Sequence, residues 1–193
     1  MRAPDKLLAV FKGASHSIFT DRSTPSGPEL NAAVKRATRD LDCMLIFEPG
    51  RVLVGNAGIL VTRVEYVKRT GKKNFVIVDG AMNDLIRPTL YDAYHEILAV
   101  DEARNTTAIE ADVVGPVCET GDYFAKSRRM PKLQQGDLIA IMTAGAYGAV
   151  QSGTYNTRPL ITEVLVKGDQ FAVVRPRQTY EELIGLDQLA PWQ

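Results

Sequence analysis

The segment Glu48-Pro49-Gly50-Arg51 places a carboxylate, bare backbone amides and a guanidinium within four consecutive positions. It directly follows the apolar run at residues 43–47, which is typical of a buried strand. Because α/β barrels carry their reactive groups at the carboxyl ends of such strands, the segment suits a phosphate-bearing cofactor. A tight turn with a surface salt bridge explains the same four residues equally well.

Arg87 and Tyr91 form a second candidate pair. They are four residues apart, so on a helix they share one face and could together hold a carboxylate. Taken alone, such a pair is more often a solvated surface feature. Tyr147 lies in a third candidate segment, residues 144–148, where glycines allow the backbone to approach a ligand.

Cys118 and Glu119 lie in a loop between a strand pattern and Gly121-Asp122. A thiol with an unperturbed pKa of about 8.5 is mostly protonated at neutral pH, so it can give a proton to a carbanionic carbon. A buried inert cysteine beside a surface glutamate is the commoner case for such a pair. Cys43 is assigned to that inert class because its neighbours are apolar.

The elements that would position these residues change in type along the chain. A helix is predicted over residues 28–40, followed by a strand at 43–47 buried on both faces, as in the last step of a parallel α/β barrel. Alternating and β-branched runs then predict strands at 59–68, 74–78, 107–114, 138–142, 160–167 and 171–175. Short helices are expected around 85–95, 146–150 and 180–183. The predicted class is therefore mainly β, an antiparallel sandwich or barrel preceded by an α/β remnant.

Composition excludes several classes of function. The 193 residues carry 23 basic and 23 acidic side chains, so the formal net charge is zero and nothing favours nucleic acid as a partner. No apolar run approaches the roughly 18 residues of a membrane-spanning helix, and a soluble cytoplasmic protein is expected. Two distant cysteines fit a reducing compartment, and His16 and His95 have no ligand-spaced neighbours, so no metal is expected.

The order and spacing of the motifs resemble the C-terminal half of diaminopimelate decarboxylases, across residues 27–193. The resemblance rests on seven segments: residues 47–51, 79–88, 87–91, 115–122, 136–138, 155–159 and 163–166. It implies an enzyme that uses pyridoxal phosphate (PLP). In such enzymes a (β/α)8 barrel carries the cofactor, and a C-terminal β-domain closes the site of a head-to-tail homodimer.

The resemblance also implies cofactor contacts. Glu48 would pair with the pyridine nitrogen, and Gly50 and Arg51 would approach the phosphate. Tyr147 would reach both the phosphate and the substrate. An anionic Glu48 would keep the ring nitrogen protonated, which lets the ring accept the electrons released when carbon dioxide leaves.

Other residues would act on the substrate, a small amino acid. Arg51, Arg87 and Tyr91 would hold its distal end, which suits a substrate with a second amino acid centre. Cys118 would be the proton donor and Glu119 a substrate ligand, both supplied to the neighbouring subunit's site. The implied reaction is decarboxylation of meso-2,6-diaminopimelate to L-lysine, although arginine and carboxynorspermidine decarboxylases share the fold.

The sequence departs from the family before Glu48. A complete (β/α)8 barrel takes about 250 residues, and its Schiff-base lysine, stacking histidine and glycine-rich loop have no match here. The expected division is an unmatched segment at 1–26, a barrel remnant at 27–51 and a β-domain at 52–193. Two functions stay open: an incomplete decarboxylase, whose barrel is supplied by another polypeptide or is missing from this sequence, or a non-catalytic dimerisation or binding module.

Overall fold

The computed structural model of the protein describes residues 7–12, 27–101 and 107–193. Within them the strands and helices follow in this order: β1 Leu7–Lys12, α1 Gly27–Ala37, β2 Cys43–Glu48, α2 Arg51–Val54, β3 Leu60–Arg69, β4 Asn74–Val78, α3 Arg87–Tyr91, β5 Ile97–Ala99, β6 Ala108–Val114, β7 Tyr123–Pro131, β8 Leu138–Ile141, β9 Glu163–Lys167, β10 Gln170–Arg175 and α4 Tyr180–Ile184. Strands therefore dominate, as the sequence predicts.

Six strands form one sheet in the order β5-β8-β3-β4-β6-β7. Its edge strands β5 and β7 approach each other, so the sheet is nearly closed into a barrel. Inward-facing side chains alternate along β3, where Leu60, Thr62 and Val64 are buried and the residues between them are exposed. This period of two gives the sheet one apolar face, which encloses the core formed by Val64, Val76, Val78, Leu85, Val113, Phe124, Ile139 and Ile141.

The predicted antiparallel arrangement is confirmed, with one exception. β4 and β6 pair in parallel, from Phe75 with Asp112 to Ile77 with Val114. Parallel neighbours cannot be joined by a tight hairpin, so the chain must leave the sheet and return through a long crossover. That crossover contains α3, which carries Arg87 and Tyr91.

A separate two-stranded sheet precedes this barrel. β1 pairs with β2 in parallel, and α1 lies between them in the chain, which makes a β-α-β unit. The helix and second strand were predicted, whereas β1 was not. The prediction that β2 is buried on both faces is wrong, since Met44, Ile46 and Phe47 are 50%, 40% and 48% exposed. A strand is buried on both faces only when layers cover both, and within the described residues β2 pairs only with β1.

The C-terminal part of the chain is a hairpin of β9 and β10 followed by α4. Thr179 caps α4, because its side chain accepts from the Glu182 amide while the Glu182 carboxylate accepts from the Thr179 amide. Both faces of the hairpin expose large apolar side chains, among them Leu165, Phe171 and Val173, and Trp192 is 85% exposed. None of the helices in the described ranges has the length and apolar character that crossing a bilayer requires.

Candidate functional site

The loop at residues 143–148 packs directly on the segment that follows Gly50. The Gly145 amide donates to the Gly55 carbonyl at 3.0 Å, and the Ala144 amide donates to the Gly58 carbonyl at 2.8 Å. A Cβ atom on Gly145 would overlap the Val54 carbonyl oxygen. The two backbones therefore meet without side chains between them, which only glycine allows.

This packing brings Tyr147 to Gly50. A Cβ atom added to Gly50 would lie 2.6 Å from the Tyr147 hydroxyl oxygen, so the hydroxyl occupies the space above a bare glycine. Tyr147 itself has a left-handed backbone, with φ of +62°. Because a tyrosine adopts that conformation only at an energetic cost, the surrounding contacts hold it there.

Arg51 and Arg87 lie close together beside Tyr147. The Arg87 guanidinium carbon is 5.8 Å from the centre of the Tyr147 ring, and Arg87 is only 7% exposed. Burial lowers the pKa of both arginines, and the charge of Arg87 lowers the pKa of Arg51 further. Two partly desolvated cations at one place favour binding of an anion. We call Gly50, Arg51, Arg87 and Tyr147 the arginine cluster.

Two other residues that the sequence analysis selected lie at the edge of this cluster. Tyr91 is on α3, one turn after Arg87. Burial lowers the pKa of Arg87, and the proximity of Tyr91 opposes that effect in part. Glu48 is the last residue of β2, two positions before Gly50, and it is exposed. Both side chains are therefore open to a ligand.

His95 is a component of the site that the sequence analysis treated only as an excluded metal ligand. It is 1% exposed, with Nδ1 2.8 Å from the Met142 carbonyl oxygen and Nε2 3.5 Å from Nη1 of Arg87. Burial lowers the pKa of His95 to about 4; the Met142 contact is the next largest influence and raises it, and the neighbouring arginines each lower it by less. Its position four residues after Tyr91, on the Arg87 segment, is the sequence signal that could have found it.

Cys118 and Glu119 lie in a different region, the loop of residues 115–122, which we call the cysteine loop. The Cys118 side chain is exposed, so the alternative of a buried cysteine is wrong. The Tyr155 hydroxyl donates to Glu119 Oε2 at 3.3 Å. The loop also contacts α3, because the Thr89 hydroxyl donates to the Gly121 carbonyl at 2.5 Å.

Asp122 anchors the cysteine loop, a role that was not predicted from the sequence. Its two carboxylate oxygens accept from the amides of Met82, at 2.7 Å, and Val117, at 2.6 Å. Burial raises the pKa of Asp122, and the two amide hydrogen bonds oppose that effect. One buried carboxylate therefore ties the loop to the start of the crossover that carries α3.

Arg158 makes a second tie, between the segment at 155–159 and the crossover. Its Nε donates to Asn83 Oδ1 at 2.8 Å, and its Nη2 donates to the Asp79 carbonyl at 2.6 Å. The same Nη2 lies 3.4 Å from Asp84, a carboxylate whose pKa is raised by burial. Tyr155, which contacts Glu119, is thus held at a defined place.

Comparison with known proteins identifies the family. Residues 10–145 match the model for the C-terminal sheet domain of pyridoxal-dependent decarboxylases. The chain belongs to this family. The resemblance noted in the sequence is thereby confirmed.

Two similar relatives are both named diaminopimelate decarboxylase. The chain is 51% identical over 168 residues to the diaminopimelate decarboxylase of Zymomonas mobilis, covering 87% of this chain and 39% of the relative. It is 50% identical over 173 residues to that of Pseudomonas fluorescens, covering 90% and 41%. The chain therefore spans about two fifths of the length of the curated relatives it matches.

Solved structures of family members have the same fold. The diaminopimelate decarboxylase of M. jannaschii aligns with a TM-score of 0.80 at 32% identity, over 96% of this chain and 43% of that one. The Helicobacter pylori enzyme, crystallised with L-lysine, aligns at 0.75 and 37% identity, over 93% and 44%. In the part of this chain that the structure describes, no group of three or more His, Cys, Asp or Glu side chains is arranged to hold a metal ion.

Proposed function

We propose that this chain supplies the C-terminal half of the active site of a PLP-dependent diaminopimelate decarboxylase. The observation that carries the proposal is the arginine cluster. Gly50, Arg87 and Tyr147 come from three segments that are far apart in the chain, yet they lie together in the fold. Members of the matched family act with pyridoxal phosphate, and the relatives named above are diaminopimelate decarboxylases.

The cluster fits the phosphate of PLP. Gly50 leaves its backbone amide uncovered by a side chain, and the Tyr147 hydroxyl lies beside it. Arg51 adds a guanidinium, which binds phosphate oxygens through two parallel N–H donors. When bound, PLP supplies an electron sink for the electron pair released with carbon dioxide. Glu48, at the end of β2, would hold a proton on the pyridine nitrogen.

The substrate half of the cluster is Arg87 with Tyr91. We assign to them the distal carboxylate of the substrate, with Arg51 as a second cation at the same place. Burial around Arg87 strengthens such an ion pair, because less water competes for the charges. A substrate with only an amine at its far end would place a third positive charge beside these two guanidiniums. Diaminopimelate has the required second carboxylate.

Cys118 is assigned the protonation step. Its exposed thiol would donate the Sγ proton to the substrate carbon that has lost carbon dioxide, and Glu119 would bind the substrate amino group beside it. Because Cys118 lies on an outer loop, we assign it to the site of a second copy of the chain. The active form is then a homodimer that functions in the cytoplasm.

The division of the chain belongs to the same proposal. We assign residues 27–51 to the barrel part of the enzyme and 52–193 to the β-domain, with the Schiff-base lysine supplied from outside this chain. The pairing of β1 with β2 supports extending the barrel part to include Leu7–Lys12.

Reconstitution tests the proposal. The full chain is co-expressed with the N-terminal part of the Zymomonas mobilis relative that it does not cover, and carbon dioxide release from meso-diaminopimelate is measured. We expect a complex that holds PLP and is active. The same measurement can be made with the two pieces fused into one polypeptide. A complex that holds PLP but does not decarboxylate would contradict the proposal.

The same complex tests Cys118. Cys118→Ala should lower kcat by about 10²- to 10⁴-fold, the usual contribution of a general acid. Cys43→Ala is the matched control and should retain the rate. Equal rates for the two variants would remove the thiol from the mechanism.

The chain alone tests the location of the Schiff-base lysine. We expect no imine absorbance band when purified chain is mixed with PLP. A band, together with borohydride trapping of PLP on one of the chain's own lysines, would overturn the assignment of that lysine to a region outside these 193 residues.

A second candidate function is a non-catalytic dimerisation or binding module. The exposed apolar side chains on both faces of the β9–β10 hairpin favour it, because exposed apolar surface of this kind marks interaction sites. Size-exclusion chromatography of the chain alone decides this alternative. A dimer that neither binds PLP nor supports reconstitution would favour the module, and a strictly monomeric chain would count against it.

A further inference from the structure

The contacts made by the two ring nitrogens of His95 are both satisfied by only one protonation state of the ring. The Met142 carbonyl, 2.8 Å from Nδ1, can only accept a hydrogen bond, so Nδ1 carries the proton. A guanidinium can only donate, so the contact between Arg87 Nη1 and Nε2, at 3.5 Å, requires a bare Nε2. Both requirements are met by the neutral Nδ1–H tautomer, and the imidazolium satisfies only the first.

The charges around the ring exclude the imidazolium further. Arg87, Arg51 and Arg128 all lower the pKa of His95, beyond the larger effect of burial. Arg128 also reaches the backbone of the histidine, because its Nη1 donates to the His95 carbonyl at 2.8 Å. A protonated ring would add a fourth cation to three guanidiniums and point an N–H at the Arg87 donor.

We propose that His95 is the positioning residue of the arginine cluster: its neutral ring, oriented by the Met142 carbonyl, accepts from Arg87 and fixes the direction of that guanidinium. The role of Arg87 toward a carboxylate rests on the proposed function. The orientation of Arg87 by His95 does not depend on it.

The choice of a neutral acceptor has a chemical reason. Buried arginines are commonly oriented by Asp or Glu, but a carboxylate would neutralise Arg87 and compete with an anionic ligand. Imidazole supplies one acceptor atom without a charge. Arg87 therefore keeps its full positive charge, and the donors that do not face His95 stay available for a ligand.

The tautomer is measured directly. Long-range ¹H–¹⁵N spectra of the full chain contain only two imidazoles, and His16→Gln assigns them. Between pH 5 and 8 we expect one His95 nitrogen to be protonated and the other bare, with Nδ1 protonated. A ring that is doubly protonated at pH 7, or protonated only on Nε2, would overturn the proposal.

Two isosteric variants test the effect on Arg87. The amide nitrogen of His95→Asn replaces Nδ1 and keeps the Met142 bond, but this variant lacks an acceptor at Nε2. The side-chain carbonyl of His95→Gln reaches the Nε2 position. The guanidinium N–H signals of Arg87 should be resolved and slowly exchanging in the wild type and in His95→Gln, and lost in His95→Asn. Unchanged Arg87 signals in both variants would overturn the role.

Arg87→Met tests the same contact from the other side, should the histidine variants fail to fold. The ¹⁵N resonance of Nε2 should move toward the value of an acceptor without a hydrogen bond. No movement would mean that Arg87 does not donate to His95.

The reconstituted complex adds a kinetic measurement. His95→Asn should raise KM for diaminopimelate about 10-fold with kcat within about twofold, because the distal contact exists before and during the chemical step. His95→Gln should restore KM. An active wild-type complex whose Asn variant keeps the wild-type KM would overturn the proposal. An inactive wild-type complex would instead count against the proposed function, and the spectra would still decide the role of His95.

Discussion

The arginine cluster and the cysteine loop differ in how the fold treats them. Arg87 and His95 are buried and are surrounded by their own chain, with each polar contact made to a neighbour in the fold. Cys118 and Glu119 stand on the outside, and the buried residue of their loop is Asp122, which only supports them. The fold thus buries Arg87 and His95 and leaves Cys118 and Glu119 exposed.

This contrast indicates different demands on the two groups. A site that binds an anion needs desolvated cations with fixed directions, and burial supplies both. A residue that acts on a ligand bound elsewhere needs exposure on a rigid support. The Asp122 contacts to Met82 and Val117 supply that support. Variants at the supporting residues should therefore lower stability, whereas variants at the exposed residues should not.

The largest effect is expected at Asp122. Asp122→Ala removes the acceptor of two amides, so the free energy of unfolding should fall by about 3–4 kcal/mol, at roughly 1–3 kcal/mol for each unsatisfied donor. Glu119→Ala, in the same loop but exposed, should stay within about 0.5 kcal/mol of the wild type. Urea unfolding monitored by circular dichroism measures both. Equal losses would mean that the loop is not anchored at Asp122.

The glycine contact under the arginine cluster should give the next largest effect. Gly145→Ala forces a methyl group into the Val54 carbonyl, and we expect a loss of about 2–3 kcal/mol, in the range of overpacked interiors. Gly153→Ala is the control, because a Cβ atom there meets nothing within 4 Å. Thermal or urea unfolding of the two variants gives the comparison. A stable Gly145→Ala chain would show that the 143–148 loop can move away from Val54.

His95 should make stability depend on pH. Its pKa is about 4 in the folded chain and 6.5 in the unfolded reference. Between these values the unfolded chain binds more protons than the folded chain. The contribution of His95 to the free energy of unfolding is therefore fully present above about pH 6.5 and is lost as the pH falls toward 4. The expected loss is about 2 kcal/mol, which is less than the difference between the two pKa values multiplied by 1.36 kcal/mol per pKa unit.

The variant His95→Gln isolates this contribution. Asp84 and Asp122, whose pKa values are raised by burial, act in the opposite direction and are present in both chains. The difference in the free energy of unfolding between wild type and variant should therefore change with pH only between pH 4 and 6.5. A flat difference would contradict the neutral buried histidine.

The smallest effect is expected at Tyr155. Its hydrogen bond to Glu119 is long, at 3.3 Å, and exposed. Tyr155→Phe should change the free energy of unfolding by less than about 0.5 kcal/mol. A loss above 1 kcal/mol would mean that the outward face of the cysteine loop is held as firmly as its base.

The strands of the barrel could be predicted where side chains alternate. β3 was predicted within one residue of its observed ends, because apolar or β-branched residues recur at every second position. β4 was predicted at its observed bounds, 74–78, because it is a short continuous run of apolar residues. β7 was missed, since Lys126-Ser127-Arg128-Arg129 interrupts its apolar pattern. Ser127 also has a φ of +46° there, and the register with β6 shifts nearby.

The candidate site could be predicted in part. Residue types and the family resemblance selected Gly50, Arg87 and Tyr147, and the structure brings them together. Asp122, His95 and Arg158 were missed as site residues because their partners include backbone groups distant in sequence. A carboxylate that holds two amides cannot be distinguished from a surface carboxylate until the fold is known. The burial of β2 was predicted wrongly for the same reason: its cover depends on neighbours outside the pattern of the strand itself.

The exposure of Trp192 provides a built-in reporter. It is the only tryptophan in the chain and lies in the C-terminal segment that follows α4. Its fluorescence should resemble that of indole in water and be readily quenched by iodide. Any polypeptide that covers this end of the molecule will shift the emission to shorter wavelength, so assembly can be followed in real time without an added label.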